Sequence, residues 1–400
     1  MVKVAVLGYG TVGSGVVEVL ETNSAEIKER CGNDIVVKYI LDLRDFPGDP
    51  HEDKIVHDFD IILKDDDVQI VCETMGGKGA AYAFTKQCLE AGKTVCTSNK
   101  ELVAAHGPEL LKIARDNFCN YFFEASVGGG IPIIRPMLSC LTAEHIDSIQ
   151  GILNGTTNYI LTHMDEDGAD FADVLKQAQD LGYAEKDPTA DVEGHDAGRK
   201  IAILSSLMCG KNVKYDDIYV EGISKISDKD FAYMHKMSST IKLVASSKET
   251  PEGYFAMVAP FVVSREHPLY MVRDVFNAIF VHGNMVDDCM FYGRGAGSLP
   301  TASAVVGDVV DAAKHIGINL KSAWDEEDVV VTDIDKFKCS YFVRVSAQDK
   351  DKVNGLLPIK EVVDAGFADE YAFVTDVMEE CEFNKCAASI DIISKIRVCA

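Results

Sequence analysis

Positive charge is what this sequence has least of: 39 Lys+Arg stand against 64 Asp+Glu, a formal net charge of −25 with a pI near 4.7. Such a surface repels phosphate backbones and anionic lipid headgroups, which argues against nucleic-acid and membrane-surface partners. No uninterrupted apolar run approaches the ~20 residues that a membrane helix needs. The opening residues MVKVAVLGYG read as a strand and a turn without a basic leader region, so a cytoplasmic protein is expected. Closely spaced cysteine pairs are missing too. The 12 cysteines are scattered from Cys31 to Cys399 with no C-x-x-C, which reads as reduced, mostly buried thiols. Only distant residues converging in space would make a structural zinc site. There is no internal repeat and no low-complexity segment.

What is present is enough apolar material, 47% of 400 residues, for two or three cores. Over residues 1–130, apolar strands (Val2–Leu7, Ile35–Asp42, Gln69–Cys72, Thr94–Cys96, Tyr121–Glu124) alternate with helical stretches at 11–31, 78–91 and 100–116. That alternation predicts an α/β fold with a Rossmann-type, doubly wound parallel sheet. The turn VGGGIP at 127–132 marks its end, and a helix over 300–318 is expected to return to it. Residues 131–300 mix strands (145–154, 240–246, 254–263, 289–292) with helices (156–165, 170–181, 194–209), as in an α+β domain. After a connector at 319–337, residues 338–400 read strand, helix (350–363), two strands, helix and strand, the ferredoxin-like order.

Gly8-Tyr-Gly10-Thr11-Val12-Gly13 joins the first strand to a helix. The first glycine permits a tight turn, the second lets backbone N–H groups approach a pyrophosphate, and the third allows close helix–strand packing. Dinucleotide binding is the expectation. An acid at the end of the second strand would bond the ribose 2′-hydroxyl of NAD, and a basic group would accept the 2′-phosphate of NADP. The chain offers both, Asp42 and Arg44, so the sequence leaves the choice open.

The densest chemistry lies in GYAEKDPTADVEGHDAGRK at 182–200. With a helix starting near Gly194, Asp196 and Lys200 share one face. A lysine held beside carboxylates can pass a proton to the oxygen of a carbonyl being reduced. The bland alternative is a surface ion pair. Glu185 and Asp191 are carboxylates suited to a substrate ammonium group, and His195 points away from Asp196. Thr97-Ser98-Asn99-Lys100 places a second lysine at the carboxyl end of a parallel strand, where ligands of such sheets bind. Glu124 and the glycine-rich turn after it read either as a hinge or as carbonyls able to ligate a hard cation.

Taken in order along the chain, GYGTVG (8–13), TSNKELVA (97–104), EASVGGGIPIIRP (124–136), GILNGTTNYIL (151–161), LGYAEKDPTADVEGHDAGRK (181–200) and GRGAGSLPTASAVVGD (293–308) resemble homoserine dehydrogenase. The resemblance implies reversible reduction of L-aspartate 4-semialdehyde to L-homoserine with NAD or NADP, on the way to threonine, methionine and isoleucine. It implies Lys200 as acid/base, Asp196 as its neighbour at the reacting oxygen, Glu185 and Asp191 at the substrate amine and its water network, and Lys100 at substrate and nicotinamide. Gly182 and Gly297 fall at cofactor-lining positions. Glu124 with the carbonyls of Val127, Gly129 and Ile131 matches a sodium site. The substrate domain implies a homodimer or homotetramer. The tail resembles an ACT domain, a module that takes amino-acid effectors, but it reads Gln348-Asp-Lys-Asp-Lys-Val where those modules carry Asp-x-x-Gly.

Two other readings compete. An acylating semialdehyde dehydrogenase needs a nucleophilic cysteine near the nicotinamide, and no cysteine falls inside the motif blocks at a fitting position. A non-catalytic sensor of nucleotide and amino acid would not need Lys100, Asp196 and Lys200 together.

Overall fold

The computed structural model describes residues 1–399. The chain divides into two compact units, Met1–Glu144 with Ala202–Tyr215 and Gly293–Val329, and His145–Ile201 with Asp216–Tyr292 and Val330–Ala400.

In the first unit, β1 (Val2–Leu7), β2 (Ile35–Leu41), β3 (Ile55–Val56), β4 (Val68–Glu73), β5 (Thr94–Thr97) and β6 (Tyr121–Phe122) form one parallel sheet in the order β3-β2-β1-β4-β5-β6. This is the doubly wound arrangement expected. Strand β1 is apolar at nearly every position because it pairs on both edges and is covered on both faces. The helix expected over 11–31 is two helices, Thr11–Thr22 and Ser24–Cys31, interrupted at Asn23. The short strand β3 and the helix Phe59–Leu63 were not legible. The helix Ser298–Lys314 belongs to this unit, where Ala302, Val305 and Val309 join Val4, Val6, Val16 and Leu20 in one core. Gly15 makes that contact possible: a Cβ there would lie 2.9 Å from Ser298 Oγ.

The second unit is built on a ten-stranded sheet. Its strands are β7 (Ile146–Ile152), β8 (Tyr219–Val220), β9 (Ser239–Thr250), β10 (Gly253–Ser264), β11 (Phe276–Gly283), β12 (Asp287–Arg294), β14 (Tyr341–Ser346), β15 (Ile359–Val363), β16 (Glu370–Thr375) and β18 (Ile392–Val398); β13 (Lys338–Cys339) and β17 (Met378–Glu379) pair separately. Within the tail the order is β18-β14-β16-β15, with helices Lys350–Leu356 and Glu380–Ala387 between strands, which is the ferredoxin-like plan. Strand β18 also pairs in parallel with β10, Phe261 opposite Arg397 and Val262 opposite Val398, so the tail extends the sheet of the middle region. The helix expected to reach 363 stops at Leu356. Pro358 holds Leu357 extended at φ −116°, ψ 142°, and Ile359–Val363 becomes a strand. Strand β11 and the helix Asp228–Lys236, started by a Ser227/Asp230 capping box, escaped the sequence reading. Among the described residues no helix is long and apolar enough to cross a membrane.

Candidate active site

The glycine loop of the first unit is built as its spacing requires. Gly8 lies at φ +92°, and its N–H donates to the Leu41 carbonyl at 2.8 Å. A Cβ on Gly13 would come within 1.9 Å of the Gly8 carbonyl, so only glycine fits. Gly10 caps the helix starting at Thr11, and no atom of the chain crowds a Cβ there. Ser298 Oγ donates to the Thr11 carbonyl at 2.6 Å, which brings Gly297, the cap of the helix Ser298–Lys314, to the same loop.

Asp42 and Arg44 sit at the end of β2 and are partners. Asp42 accepts the Tyr9 N–H at 2.8 Å and the Arg44 Nε and terminal nitrogens at 3.0 and 2.9 Å. The guanidinium beside it holds the Asp42 carboxyl well below the usual range. Arg44 itself is mostly exposed and lies over the Phe46 ring.

Lys100 opens the helix Lys100–Asp116 at the carboxyl end of β5, and Asn99 caps it by accepting the Leu102 N–H at 3.1 Å. The approach is fixed from below by a group the sequence reading missed. Glu73, fully buried at the end of β4, accepts the Thr97 hydroxyl at 2.7 Å and the Met75 N–H at 2.8 Å. Thr97 Oγ in turn accepts the Asn99 N–H at 2.9 Å. Burial pushes the Glu73 carboxyl up.

The Glu124 carboxylate differs from a freely available ligand. It accepts the backbone N–H groups of Ile133, Ile134 and Arg135 at 2.6–2.9 Å. Its own N–H donates to Asp308, which also pairs with Arg135. The turn that follows has left-handed glycines, Gly128 at φ +72° and Gly129 at +55°.

In the second unit the structure brings Asp191, Asp196 and Lys200 together. The helix His195–Cys209 carries Asp196 in its first turn and Lys200 one turn on, both buried. Lys200 Nζ donates to Asp196 Oδ2 and to the Leu153 carbonyl, each at 2.7 Å. Asn154 Nδ2 donates to Asp191 Oδ1 at 2.7 Å and to Asp196 Oδ2 at 2.8 Å. Gly182 is left-handed at φ +76° after the helix Phe171–Asp180, and Glu185 stands exposed on the loop beyond it. Thr156 Oγ holds that loop through the Tyr183 carbonyl at 2.7 Å.

The run NGTTNYIL thus has a physical content that its letters do not announce. Gly155 is required because a Cβ would meet the Val275 carbonyl at 2.7 Å. Asn158 Nδ2 reaches the carbonyls of Val272, Asp274 and Phe276, and its Oδ1 accepts from the buried Lys242 at 3.0 Å. Burial lowers Lys242 to about 8. These polar residues shape the loop beside the helix Gly155–Asp167. An asparagine in a motif gives no sign of its partners, so the roles of Asn154, Asn158, Lys242 and Glu73 had no readable signal.

Thiol chemistry has no support. None of the twelve cysteines is in a disulfide, and burial pushes Cys72 and Cys96, the thiols near the ends of β4 and β5, well above their ordinary range. Among the described residues the one histidine–acid grouping with metal-ligand spacing is His282, Asp287 and Asp288, which includes no cysteine.

Residues 132–310 match the family model described as homoserine dehydrogenase, and residues 8–124 match its NAD binding domain. The homoserine dehydrogenase of Bacillus subtilis is 40% identical over 324 residues, 80% of this chain and 74% of that protein. The enzyme of Synechocystis is 38% identical over 419 residues, covering 99% and 96%. The crystal structure of a homoserine dehydrogenase from Thiobacillus denitrificans superposes with a TM-score of 0.90 at 32% identity, over 99% of this chain and 98% of that one. A hyperthermophilic archaeal homoserine dehydrogenase in complex with NADPH superposes at 0.65 with 26% identity, covering 78% and 97%.

Proposed function

The chain belongs to the homoserine dehydrogenase family, and on that premise we propose that Lys200 is the group that exchanges a proton with the reacting oxygen. The chain is an NAD(P)-dependent oxidoreductase that interconverts L-aspartate 4-semialdehyde and L-homoserine. The nicotinamide supplies or accepts the hydride at the substrate carbon. Lys200 then delivers its proton to the oxygen as negative charge develops there, and takes it back in the oxidation direction. The observation that carries this role is the Nζ held between Asp196 Oδ2 and the Leu153 carbonyl, which fixes a buried ammonium in one place. Asp191 and Glu185 are carboxylates for the substrate ammonium, and Lys100, at the helix start of the first unit, is assigned to substrate and nicotinamide. An assay of homoserine-dependent NADP and NAD reduction tests the reading. No reduction with either cofactor would refute it and favour the sensor.

Gly8, Gly10, Thr11, Val12 and Gly13 are assigned to the pyrophosphate, and Thr97, Ser98, Gly182 and Gly297 are kept as cofactor-binding positions. NADP is the cofactor this chain is built to prefer. Asp42 already accepts from Tyr9 and Arg44, whereas an NAD-selecting acid must offer its oxygens to the ribose. Arg44 pairs with Asp42 through Nε and Nη2, and the rest of its mostly exposed guanidinium faces outward, the group that pairs best with a phosphate. Arg44→Ala is expected to raise KM for NADP roughly tenfold and leave KM for NAD within about twofold. Equal changes for both cofactors would remove Arg44 from the 2′-phosphate site.

A sodium ion is proposed at the turn of 127–131 on the carbonyls of Val127, Gly129 and Ile131 together with that of Glu124, whose side chain accepts three N–H groups. At constant ionic strength, sodium chloride is expected to raise the thermal midpoint above that in choline chloride. Identical midpoints would dismiss the site. We assign 1–130 with the helix of 300–318 to nucleotide binding, 131–300 to substrate binding and dimerisation, 319–337 to a connector, and 338–400 to an ACT-like module. A cytoplasmic homodimer or homotetramer is the assembly proposed, to be settled by light scattering. The Ala347–Asp349 turn and the first turn of the helix after it carry no glycine where an effector would approach the backbone, so threonine added to the assay is expected to leave the rate unchanged.

A further inference from the structure

We propose that Asn154 is a positioning residue of the reaction, holding the proton-transfer pair and the substrate-binding carboxylate of Asp191 in one fixed arrangement. The inference rests on the assignment of Lys200 made above. Asn154 follows β7 and caps the helix Gly155–Asp167, its Oδ1 accepting the Thr157 N–H at 2.8 Å. Capping needs only that oxygen, and Ser or Asp would supply one equally well. The amide nitrogen does something else. It donates one N–H to Asp191 Oδ1 at 2.7 Å and the other to Asp196 Oδ2 at 2.8 Å. Asp196 Oδ2 is also the oxygen that accepts from Lys200 Nζ at 2.7 Å. The amide orientation follows from its surroundings. Turned over, the oxygen would face two carboxylates and the nitrogen would face an N–H.

Two consequences follow for the chemistry. Two carboxylates side by side repel each other, and a donor shared between them lowers that repulsion without adding a net charge. The same donor fixes the Asp196 oxygen on which the Lys200 ammonium rests. The adjacent residue contributes as well, because the Leu153 carbonyl is the second acceptor for Lys200. The dipeptide at the end of β7 therefore sets the position of the lysine and of both aspartates. Their partners come from the segment 191–200, which the chain reaches only after the helices Gly155–Asp167 and Phe171–Asp180.

The test uses variants that keep the cap and lose the amide. Asn154→Ser retains a capping oxygen with no added charge, and Asn154→Asp retains it with the same shape and one added charge. Both are expected to lose roughly ten- to hundredfold in kcat with homoserine, while KM for the cofactor stays within about twofold and the thermal midpoint of the Ser variant stays within a few degrees. A role limited to capping would leave kcat and the homoserine KM of Asn154→Ser at wild-type values, and that result overturns the inference. Should the Ser variant be insoluble, Asn154→Thr, which also keeps a capping oxygen and adds no charge, is read in the same way. Lys200→Ala is measured alongside. An active Lys200→Ala refutes the assignment of Lys200, whereas an inactive one beside a fully active Asn154→Ser refutes only the role of Asn154.

Discussion

Lys200→Ala is expected to lower turnover by at least the ~10²-fold that a general acid–base group contributes. Cofactor binding should survive, since the glycine loop and Arg44 belong to the other compact unit. The variant removes one half of a buried ion pair, however, and takes the lysine away from a buried Asp196 carboxylate. Breaking a buried pair from one side costs about 3–5 kcal/mol. Loss of activity could then reflect loss of fold. Lys200→Arg separates the two, because a guanidinium keeps the charge beside Asp196 yet does not release a proton at neutral pH. It should melt close to the wild type and turn over as poorly as the alanine variant. Steady-state rates together with NADPH titration by fluorescence decide the matter. Wild-type turnover in the alanine variant would transfer the proton to Lys100.

How much of this was legible depends on sequence distance. Asp196 and Lys200 are one turn apart, and a helix start near Gly194 was readable, so their pairing followed from spacing alone. The glycine loop was equally local, with turn, cap and helix all inside six residues. The other members of each site come from far along the chain. Asn154 meets Asp191 and Asp196 across 37 and 42 residues, and Glu73 meets Thr97 across 24. Nothing in a side chain's identity tells which distant carboxylate it will face. The same limit governed the fold. That the sheet is parallel and doubly wound followed from strands alternating with helices, and Pro358 could have signalled the end of its helix. The join of β18 to β10 involves two strands far apart in sequence, each of which reads as an ordinary apolar strand.

That join bears on the second large effect, which concerns Arg344 on β14. Its side chain is almost fully buried. It binds Glu370 through two parallel hydrogen bonds of 2.9 and 3.0 Å, and it donates to Asp230 at 2.7 Å and Ser227 at 3.0 Å. Ser227 and Asp230 form the cap of the helix Asp228–Lys236, so one guanidinium ties the tail to a helix packed on β9. Burial would raise Glu370, but hydrogen bonds from Arg344 and Lys229 override it and bring the carboxyl to about 2. Arg344→Met leaves two buried carboxylates facing each other and is expected to destabilise the second unit by about 3–5 kcal/mol. The pH dependence has a definite sign. A carboxyl lowered from 4.5 to about 2 stabilises fully above its unfolded value and loses that contribution as pH falls from about 4.5 toward 2. The gap between wild type and Arg344→Met should therefore be constant near neutrality and narrow in acid. Because β18 continues the sheet through β10, calorimetry should show the tail melting together with the rest of its unit in both proteins. A separate low-temperature transition for residues 338–400, with Arg344→Met as stable as the wild type, would mean that the tail is held by neither the sheet nor the buried arginine.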